Sequence, residues 1–234
     1  MSNFDSTTSS GICVKDCYKS YSLGKKKIEV LKGVNIKVAP SEVVALLGAS
    51  GTGKSTLLQI IGGLDTADQG NIVCGDHKLH LMKEKHLSSF RNESVGFIFQ
   101  AYNLFPELTA LENVCLPARI ARFGAEKSRK KSAELLESVG LGHRIDHRPY
   151  EMSGGEQQRT SIARALINSP EFLLADEPTG NLDSKTGMEI LNLLFEMREK
   201  YGVTLVIATH DHSLAERADR VVFMEDGKVV NLQS

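Results

Sequence analysis

Short apolar segments alternate with amphipathic segments along most of the chain. Compact apolar runs bounded by polar or glycine-containing turns predict strands, and apolar residues that recur every three or four positions predict helices. The predicted strands span 12–18, 34–38, 42–47, 71–74, 95–99, 172–175, 203–209, 220–224 and 228–231. The predicted helices span 54–61, 156–168 and 184–201. Because strands alternate with helices, the pattern predicts an α/β fold with a mostly parallel sheet.

The pattern changes in the middle of the chain, where it becomes helical and more polar. Leu135, Leu136 and Val139 form an apolar stripe there, and Gly140 favours a helix end. We therefore expect one domain over residues 1–234 with a helical lobe inserted into an α/β core. The expected parts are a flexible leader at 1–11, a core formed by 12–100 and 160–234 that begins with an antiparallel β part, and a helical lobe at 101–159.

Composition narrows the classes of function. The net charge is -1, from 28 basic and 29 acidic residues, so no basic footprint for nucleic acid or anionic lipid is expected. The longest apolar runs, such as 43–47 and 203–208, are far shorter than the roughly 20 residues of a membrane-spanning helix. The four cysteines form no CxxC pair, which favours reduced thiols over a metal site or a disulfide framework. Any membrane role is therefore expected to act through a partner.

A glycine-rich loop follows the predicted strand 42–47 and precedes the predicted helix 54–61. Its glycines, lysine and hydroxyl residue have the spacing of a phosphate-binding loop, whose backbone N–H groups cradle an anion at a helix N-terminus. Lys54 is predicted to neutralise the β- and γ-phosphates of a nucleotide, and Ser55 to hold Mg²⁺. The predicted nucleotide-binding residues of the loop are Gly48, Ala49, Ser50, Gly51, Thr52, Gly53, Lys54, Ser55 and Thr56.

Two carboxylates, Asp176 and Glu177, end the apolar strand 172–175. An acidic pair alone would favour a solvated turn before Pro178. With a phosphate loop in the same chain, the pair indicates catalysis, because a strand delivers such residues to the carboxyl edge of the sheet. Asp176 is predicted to join the Mg²⁺ shell, and Glu177 to act as the general base for the attacking water.

The segment Ser153-Gly154-Gly155-Glu156-Gln157 resembles the signature motif of ABC transporter ATPases. Ser153 and Glu156 also form a capping-box pattern that opens a helix. Together with the phosphate loop, the acidic pair, the segment 181–183 and His210, this resemblance covers nearly the whole chain. Two residues depart from the common motif, Met152 in place of Leu and Glu156 in place of Gln.

The resemblance implies further roles. It assigns base stacking to Tyr21, with Tyr18 as the competitor, and assigns Gln100 to the Mg²⁺ and water site. It implies that Ser153, Gly154, Gly155 and Glu156 contact the nucleotide bound to a second copy, and that His210 touches the γ-phosphate. The expected cofactors are ATP and Mg²⁺. The expected partners are a second copy in a head-to-tail homodimer and integral membrane permease subunits, with no nucleic acid and no direct contact with the transported substrate.

Several stretches are similar to the lipoprotein-releasing branch of this family, which implies a place on the cytoplasmic face of the inner membrane of a Gram-negative bacterium. These stretches are 62–66, 108–114, 147–149 and 176–183. ATPases of macrolide or peptide efflux and of cell-division complexes share them and remain the alternative. A soluble ABC ATPase without a transporter is disfavoured, since the chain has one cassette and no coiled-coil heptads.

The loop after Gln100 carries apolar residues, including Leu104 and Phe105, in a segment expected at the surface. One interpretation is that they pack beneath the helical lobe. The other is that they form a docking surface for a short helix of the membrane subunit.

Overall fold

The computed structural model describes residues 11–24 and 26–233, with side chains as far as residue 230. The predicted leader lies outside the described residues except for Gly11. The strands are β1 (Ile12–Leu23), β2 (Lys26–Val38), β3 (Val43–Leu47), β4 (Gln69–Cys74), β5 (His77–Lys78), β6 (Val95–Phe99), β7 (Phe172–Asp176), β8 (Thr204–Thr209), β9 (Arg220–Glu225) and β10 (Lys228–Gln233). The helices are α1 (Lys54–Ile61), α2 (Glu84–Glu93), α3 (Ala110–Ile120), α4 (Ala125–Ser138), α5 (Gly154–Leu166), α6 (Ser184–Tyr201) and α7 (His212–Ala215).

The strands form two sheets. The larger has the order β10-β9-β3-β8-β7-β6, and its strands run parallel except for β10, which forms a hairpin with β9. The smaller sheet is antiparallel, with the order β2-β1-β4-β5. The predicted fold class, a mostly parallel core with an N-terminal antiparallel β part and an inserted helical lobe, is confirmed.

Apolar side chains cover both faces of the parallel sheet. Along β8, Leu205 and Ile207 enter one hydrophobic cluster, and Val206 and Ala208 enter another on the opposite face. The first cluster joins the sheet to helices α3, α4, α5 and α6, and the second joins it to α1 and the antiparallel sheet. A strand buried on both faces has a continuous run of apolar residues in its sequence. For this reason the predicted bounds of β8 and β3 lie close to those in the structure.

The helical lobe and the core share helix α5. Glu156 in its first turn pairs with Arg144 of the lobe, while Ile162 and Leu166 belong to the cluster that also holds Leu173 of β7. The boundary predicted between residues 159 and 160 therefore falls inside a continuous helix, and the division of the chain into lobe and core remains a proposal. None of the helices in the described ranges is both long and apolar enough to cross a bilayer.

Two local differences from the sequence prediction have physical causes. Helix α2 was not predicted, because only Leu87 and Phe90 of its ten residues are buried, too few to produce a helical period. Strands β1 and β2 extend well beyond their predicted bounds. Their outer halves are largely exposed, and register shifts interrupt their pairing, so no apolar alternation marks them.

Candidate functional site

Four neighbouring strands of the parallel sheet end at the same edge and deliver the predicted site residues there. The glycine-rich loop follows β3, His210 follows β8, Glu177 follows β7 and Gln100 follows β6. In parallel sheets this carboxyl edge is where ligands bind, because loops from several strands converge there. Residues as far apart in the sequence as Gly48 and His210 therefore lie at the same edge of the sheet.

The glycine-rich loop is shaped by its glycines. Gly51 and Gly53 have positive φ angles of 81° and 99°, a conformation that glycine adopts without steric cost. At Gly48, a Cβ atom would lie 2.3 Å from the carbonyl oxygen of Met224, so no other residue fits. Helix α1 starts immediately after the loop and has no side-chain cap. The first N–H groups of this helix remain available to an anion.

Lys54 lies under the loop and is 5% exposed. Its Nζ donates hydrogen bonds to the carbonyl oxygens of Gly48 at 2.8 Å and Ala49 at 2.9 Å. The hydroxyl of Thr52 also donates to the Ala49 carbonyl at 2.9 Å. The ammonium group is thus held at the centre of the loop, where it can neutralise phosphate charge.

Ser55 and Asp176 form a pair of oxygen donors beside the loop. The Ser55 hydroxyl donates to Oδ1 of Asp176 at 2.8 Å. Burial raises the pKa of Asp176, and the neighbouring charge of Glu177 adds to the rise. Bringing a cation to this carboxylate would stabilise its ionised form. Hydroxyl and carboxylate oxygens are the hard ligands that Mg²⁺ prefers, so the donor set fits this ion.

Glu177 is held between a histidine and a lysine. Its Oε2 lies 2.9 Å from Nδ1 of His210, and its Oε1 lies 4.0 Å from Nζ of Lys54. Its φ is 47°, unusual for a non-glycine residue, and its backbone N–H donates to the Ala208 carbonyl at 2.9 Å. Such conformations cost about 1–3 kcal/mol and cluster at functional sites. The backbone turn aims the carboxylate back towards the loop rather than along the strand.

Gln100 lies at the same edge but pairs with the segment that follows Glu177. Its Nε2 donates to Oδ1 of Asn181 at 3.2 Å, and its carbonyl accepts from Nδ2 of Asn181 at 2.9 Å. No hydrogen bond within the described ranges joins Gln100 to Ser55 or Asp176. The role of Gln100 in the Mg²⁺ shell remains a prediction.

Tyr21 and Tyr18 differ in what their hydroxyl groups contact. The Tyr21 hydroxyl donates to Oδ2 of Asp65 at 2.6 Å and also contacts the Thr56 side chain in the first turn of α1. The Tyr18 hydroxyl instead lies against Gly33 of β2. Tyr21 is thus the tyrosine that is linked to the phosphate-binding helix.

The signature segment begins helix α5 with the predicted capping box. The Glu156 carboxylate accepts hydrogen bonds from the N–H and hydroxyl of Ser153 at 2.8 and 2.9 Å, and Oγ of Ser153 accepts from the Glu156 N–H at 3.3 Å. These bonds lower the pKa of Glu156 despite its partial burial. Arg144 Nε lies 2.9 Å from the second carboxylate oxygen. Across residues 11–24 and 26–233, no hydrogen bond or ion pair joins this segment to the glycine-rich loop.

Sequence reasoning missed three residues, of which Gln158 and Arg164 connect α5 to the catalytic edge of the sheet and Arg144 pairs with its first turn. Gln158 is fully buried and donates to the carbonyl of Pro178, next to Glu177, at 2.6 Å. Arg164 donates to the carbonyls of Tyr102 and Asn103 in the loop after Gln100, and burial lowers the pKa of its guanidinium to about 10. Arg144 compensates the charge of the signature carboxylate. The partners of Gln158 and Arg164 are backbone carbonyls, which carry no sequence signal.

Comparisons with known proteins agree on one family. The family model described as ABC transporter matches residues 31–180. The chain is 51% identical over 217 residues to the lipoprotein-releasing system ATP-binding protein LolD of Geobacter metallireducens, covering 93% of this chain and 96% of that protein. It is 47% identical to an uncharacterized ABC transporter ATP-binding protein of Thermotoga maritima, covering 93% of each chain.

Solved structures give the same result for the fold. The chain superposes with a TM-score of 0.88 on a dimeric bacterial ABC transporter cassette that is 41% identical, covering 95% of this chain and 98% of that chain. The TM-score is also 0.88 with a dimeric post-hydrolysis cassette bound to ADP and Pi, at 40% identity and the same coverage.

Proposed function

The chain belongs to the family of ABC transporter ATP-binding proteins, and from that premise we propose that its ATP hydrolysis drives the release of lipoproteins from the inner membrane of a Gram-negative bacterium. The convergence of Lys54, Ser55, Asp176 and Glu177 at one sheet edge supports the ATPase chemistry. The transport reaction is supported by the names of relatives that are 45–51% identical over more than nine-tenths of the chain.

Each site residue has a distinct task in this proposal. Lys54 and the loop N–H groups bind the β- and γ-phosphates of ATP, and Tyr21 stacks on the base. Ser55 and Asp176 hold Mg²⁺, with Gln100 as an additional ligand; the ion supplies charge neutralisation on the phosphates. Glu177 accepts the proton of the attacking water, while His210 holds the Glu177 carboxylate in place and faces the γ-phosphate.

A second copy of the chain completes the site. The signature segment is an anion-binding helix start that makes no hydrogen bond to the phosphate loop of its own chain. Two copies arranged head to tail would place each Ser153 helix against the other's ATP, an isologous arrangement that closes both sites at once. The dimeric state of the similar cassettes supports this arrangement.

Three variants test these assignments. Glu177→Gln should bind ATP, hydrolyse it very slowly and sediment as a dimer with saturating Mg-ATP, because positioning is separable from water activation. Lys54→Ala should lose nucleotide affinity, and His210→Ala should resemble Glu177→Gln. A monomeric Glu177→Gln protein would contradict the shared site, and equal loss of binding in all three would contradict the roles.

The membrane subunits are proposed to dock beside the loop that follows Gln100. A cleft of about 240 Å³ opens there at the edge strand β6, and its lining includes Phe97, Phe99 and Pro117. Phe105 is half-exposed nearby in sequence, on a loop that Arg164 ties to helix α5. Docking of a short apolar helix would place the chain on the cytoplasmic face of the inner membrane.

Phe105→Ser tests the docking surface. The variant should fold and bind ATP like the parent, because the side chain is half-exposed, yet it should co-purify poorly with the membrane subunits. Loss of folding in the isolated variant, or unchanged co-purification, would contradict the assignment. The transported substrate is tested by reconstituting the complex in liposomes and measuring ATP-dependent release of a lipoprotein to a soluble acceptor.

A further inference from the structure

A charged cluster surrounds Asp65, in the loop between helix α1 and strand β4. Its Oδ2 accepts the hydroxyl of Tyr21 at 2.6 Å, and its Oδ1 accepts Nζ of Lys19 at 2.6 Å and the N–H of Thr66 at 2.7 Å. Lys19 is 8% exposed and also donates to the Thr66 carbonyl at 2.7 Å. Burial alone would raise the pKa of Asp65, but the hydrogen bonds outweigh it and lower that pKa below its ordinary value. The acceptor of the Tyr21 hydroxyl is therefore a carboxylate that stays ionised at neutral pH.

The ring of Tyr21 also lies beneath the lysine that pairs with Asp65, since Nζ of Lys19 is 5.0 Å from the ring centroid. Strand β1 pairs with β4 only as far as Tyr18, so at Tyr21 only β2 remains as a neighbour, opposite Ile28. The Tyr21 residue is 40% exposed. An exposed aromatic ring at such a position samples several rotamers unless its far end is anchored. Here the far end is anchored by Asp65.

The anchor connects the ring to the phosphate-binding helix at two points. Asp65 follows the end of α1, whose first residues are Lys54 and Ser55. The Tyr21 hydroxyl also contacts Thr56 in the first turn of the same helix. These contacts fix the ring relative to helix α1, whose N-terminus is proposed to hold the phosphates. The base and phosphate subsites would then keep a fixed spacing.

We propose that Asp65 is a positioning residue that holds the Tyr21 ring in the orientation needed to stack on the base of ATP, with Lys19 fixing Asp65 in turn. The inference rests on the proposed role of Tyr21 in nucleotide binding. Preorganising one aromatic side chain removes the entropic cost of ordering it on binding. The loss of that benefit corresponds to a weakening of about 2- to 10-fold in affinity.

The experiment compares ATP with inorganic tripolyphosphate, which offers the phosphates without a base. Binding of each is measured by calorimetry with the full chain. Asp65→Ala should weaken ATP binding about 2- to 10-fold and leave tripolyphosphate binding unchanged. Tyr21→Phe keeps the ring and removes only the anchored hydroxyl, so it should reproduce this pattern. Asp65→Ala should weaken ATP binding less in the Tyr21→Phe background than in the parent, because both changes remove the hydrogen bond between Tyr21 and Asp65 and only the loss of the Lys19 pair remains to be felt.

Asp68→Ala is the matched control. Asp68 lies in the same loop and accepts two hydrogen bonds from Ser20 of β1, at 2.8 Å from its N–H and 2.6 Å from its hydroxyl, but none from Tyr21. If Asp65 merely fastened the loop to the strand, Asp68→Ala and Asp65→Ala would act alike, and tripolyphosphate would be affected as much as ATP.

Three results overturn the inference. These are equal weakening of both ligands by Asp65→Ala, unchanged ATP binding by Tyr21→Phe, and additive effects in the double variant.

The variant Tyr21→Ala separates a failure of this inference from a failure of the proposed function. If Tyr21→Ala leaves ATP affinity intact, the stacking role itself is wrong. If Tyr21→Ala weakens ATP binding while Tyr21→Phe does not, only the anchoring role of Asp65 is wrong. Should Asp65→Ala fail to fold, Tyr21→Phe still decides the question, since it leaves the Lys19–Asp65 pair in place.

Discussion

Asn113 is a fully buried polar residue of helix α3 that holds the loop after Gln100. Its Oδ1 accepts the N–H of Phe105 at 2.8 Å. Its Nδ2 faces the carbonyls of Phe105, Leu108 and Thr109 at 3.1, 3.1 and 3.0 Å, so its two hydrogens serve three acceptors. One side chain thus fixes the segment that carries the proposed docking residues.

Asn113→Ala should destabilise the protein by about 2–4 kcal/mol. Each buried group left without a partner costs about 1–3 kcal/mol, and the partial exposure of the loop lets water satisfy some of them. Asn113→Asp preserves the volume and the acceptor for Phe105 but loses the donor to three carbonyls. The Asp variant should therefore be at least as destabilised as the Ala variant, which a cavity effect alone would not produce.

Urea denaturation of the full chain measures the change in the free energy of unfolding. Ser132→Ala is the matched control in the same lobe, because Ser132 is equally buried but donates only to the Ser128 carbonyl of its own helix, at 2.8 Å. It should cost about 1 kcal/mol or less. If neither Asn113 variant is destabilised more than Ser132→Ala, the loop is held by other contacts and the reasoning is wrong.

Two further predictions concern charge and thiol chemistry. Arg144→Ala should weaken ATP-driven dimerisation, measured by sedimentation, because the charge of the Glu156 carboxylate would no longer be compensated where it faces the phosphates bound to the second copy. The loss should be smaller in a Glu156→Gln background, which has no such charge. Equal losses in the two backgrounds would exclude charge compensation. Burial raises the pKa of Cys17 to about 11 and that of Cys74 still further, so both hold little thiolate at pH 8. A maleimide at pH 8 should therefore label the partly exposed Cys13 before either of them, and mass spectrometry of digests gives the order.

Helix α5 provides a physical route between the two proposed surfaces. Ser153, the N-cap residue of this helix, faces a second copy in the proposed dimer. Further along, Gln158 bonds to the residue after Glu177, and Arg164 bonds to the loop after Gln100. A shift of this helix on closing of the dimer would thus reach both the catalytic carboxylate and the proposed docking loop.

The sequence determined the features that depend on neighbouring residues. Helix α1 was predicted with the bounds that the structure gives, because its glycine-rich start is a local pattern. The capping box of Ser153 and Glu156 was predicted for the same reason, since its two members are three residues apart. The turn between β9 and β10 is another local feature, since Asp226 and Gly227 are a residue pair typical of a two-residue hairpin and both have positive φ angles.

The tertiary structure alone decided which side chains meet. The contacts of Glu177 with His210, of Tyr21 with Asp65 and of Gln158 with Pro178 join residues 33, 44 and 20 positions apart. Motif spacing cannot specify such pairs, because they depend on strand order and on how helices pack across the sheet. The choice between Tyr21 and Tyr18 was open in the sequence for this reason. In the fold the Tyr21 hydroxyl bonds to Asp65, which follows the phosphate-binding helix, whereas the Tyr18 hydroxyl lies against Gly33; base stacking by Tyr21 remains a proposal.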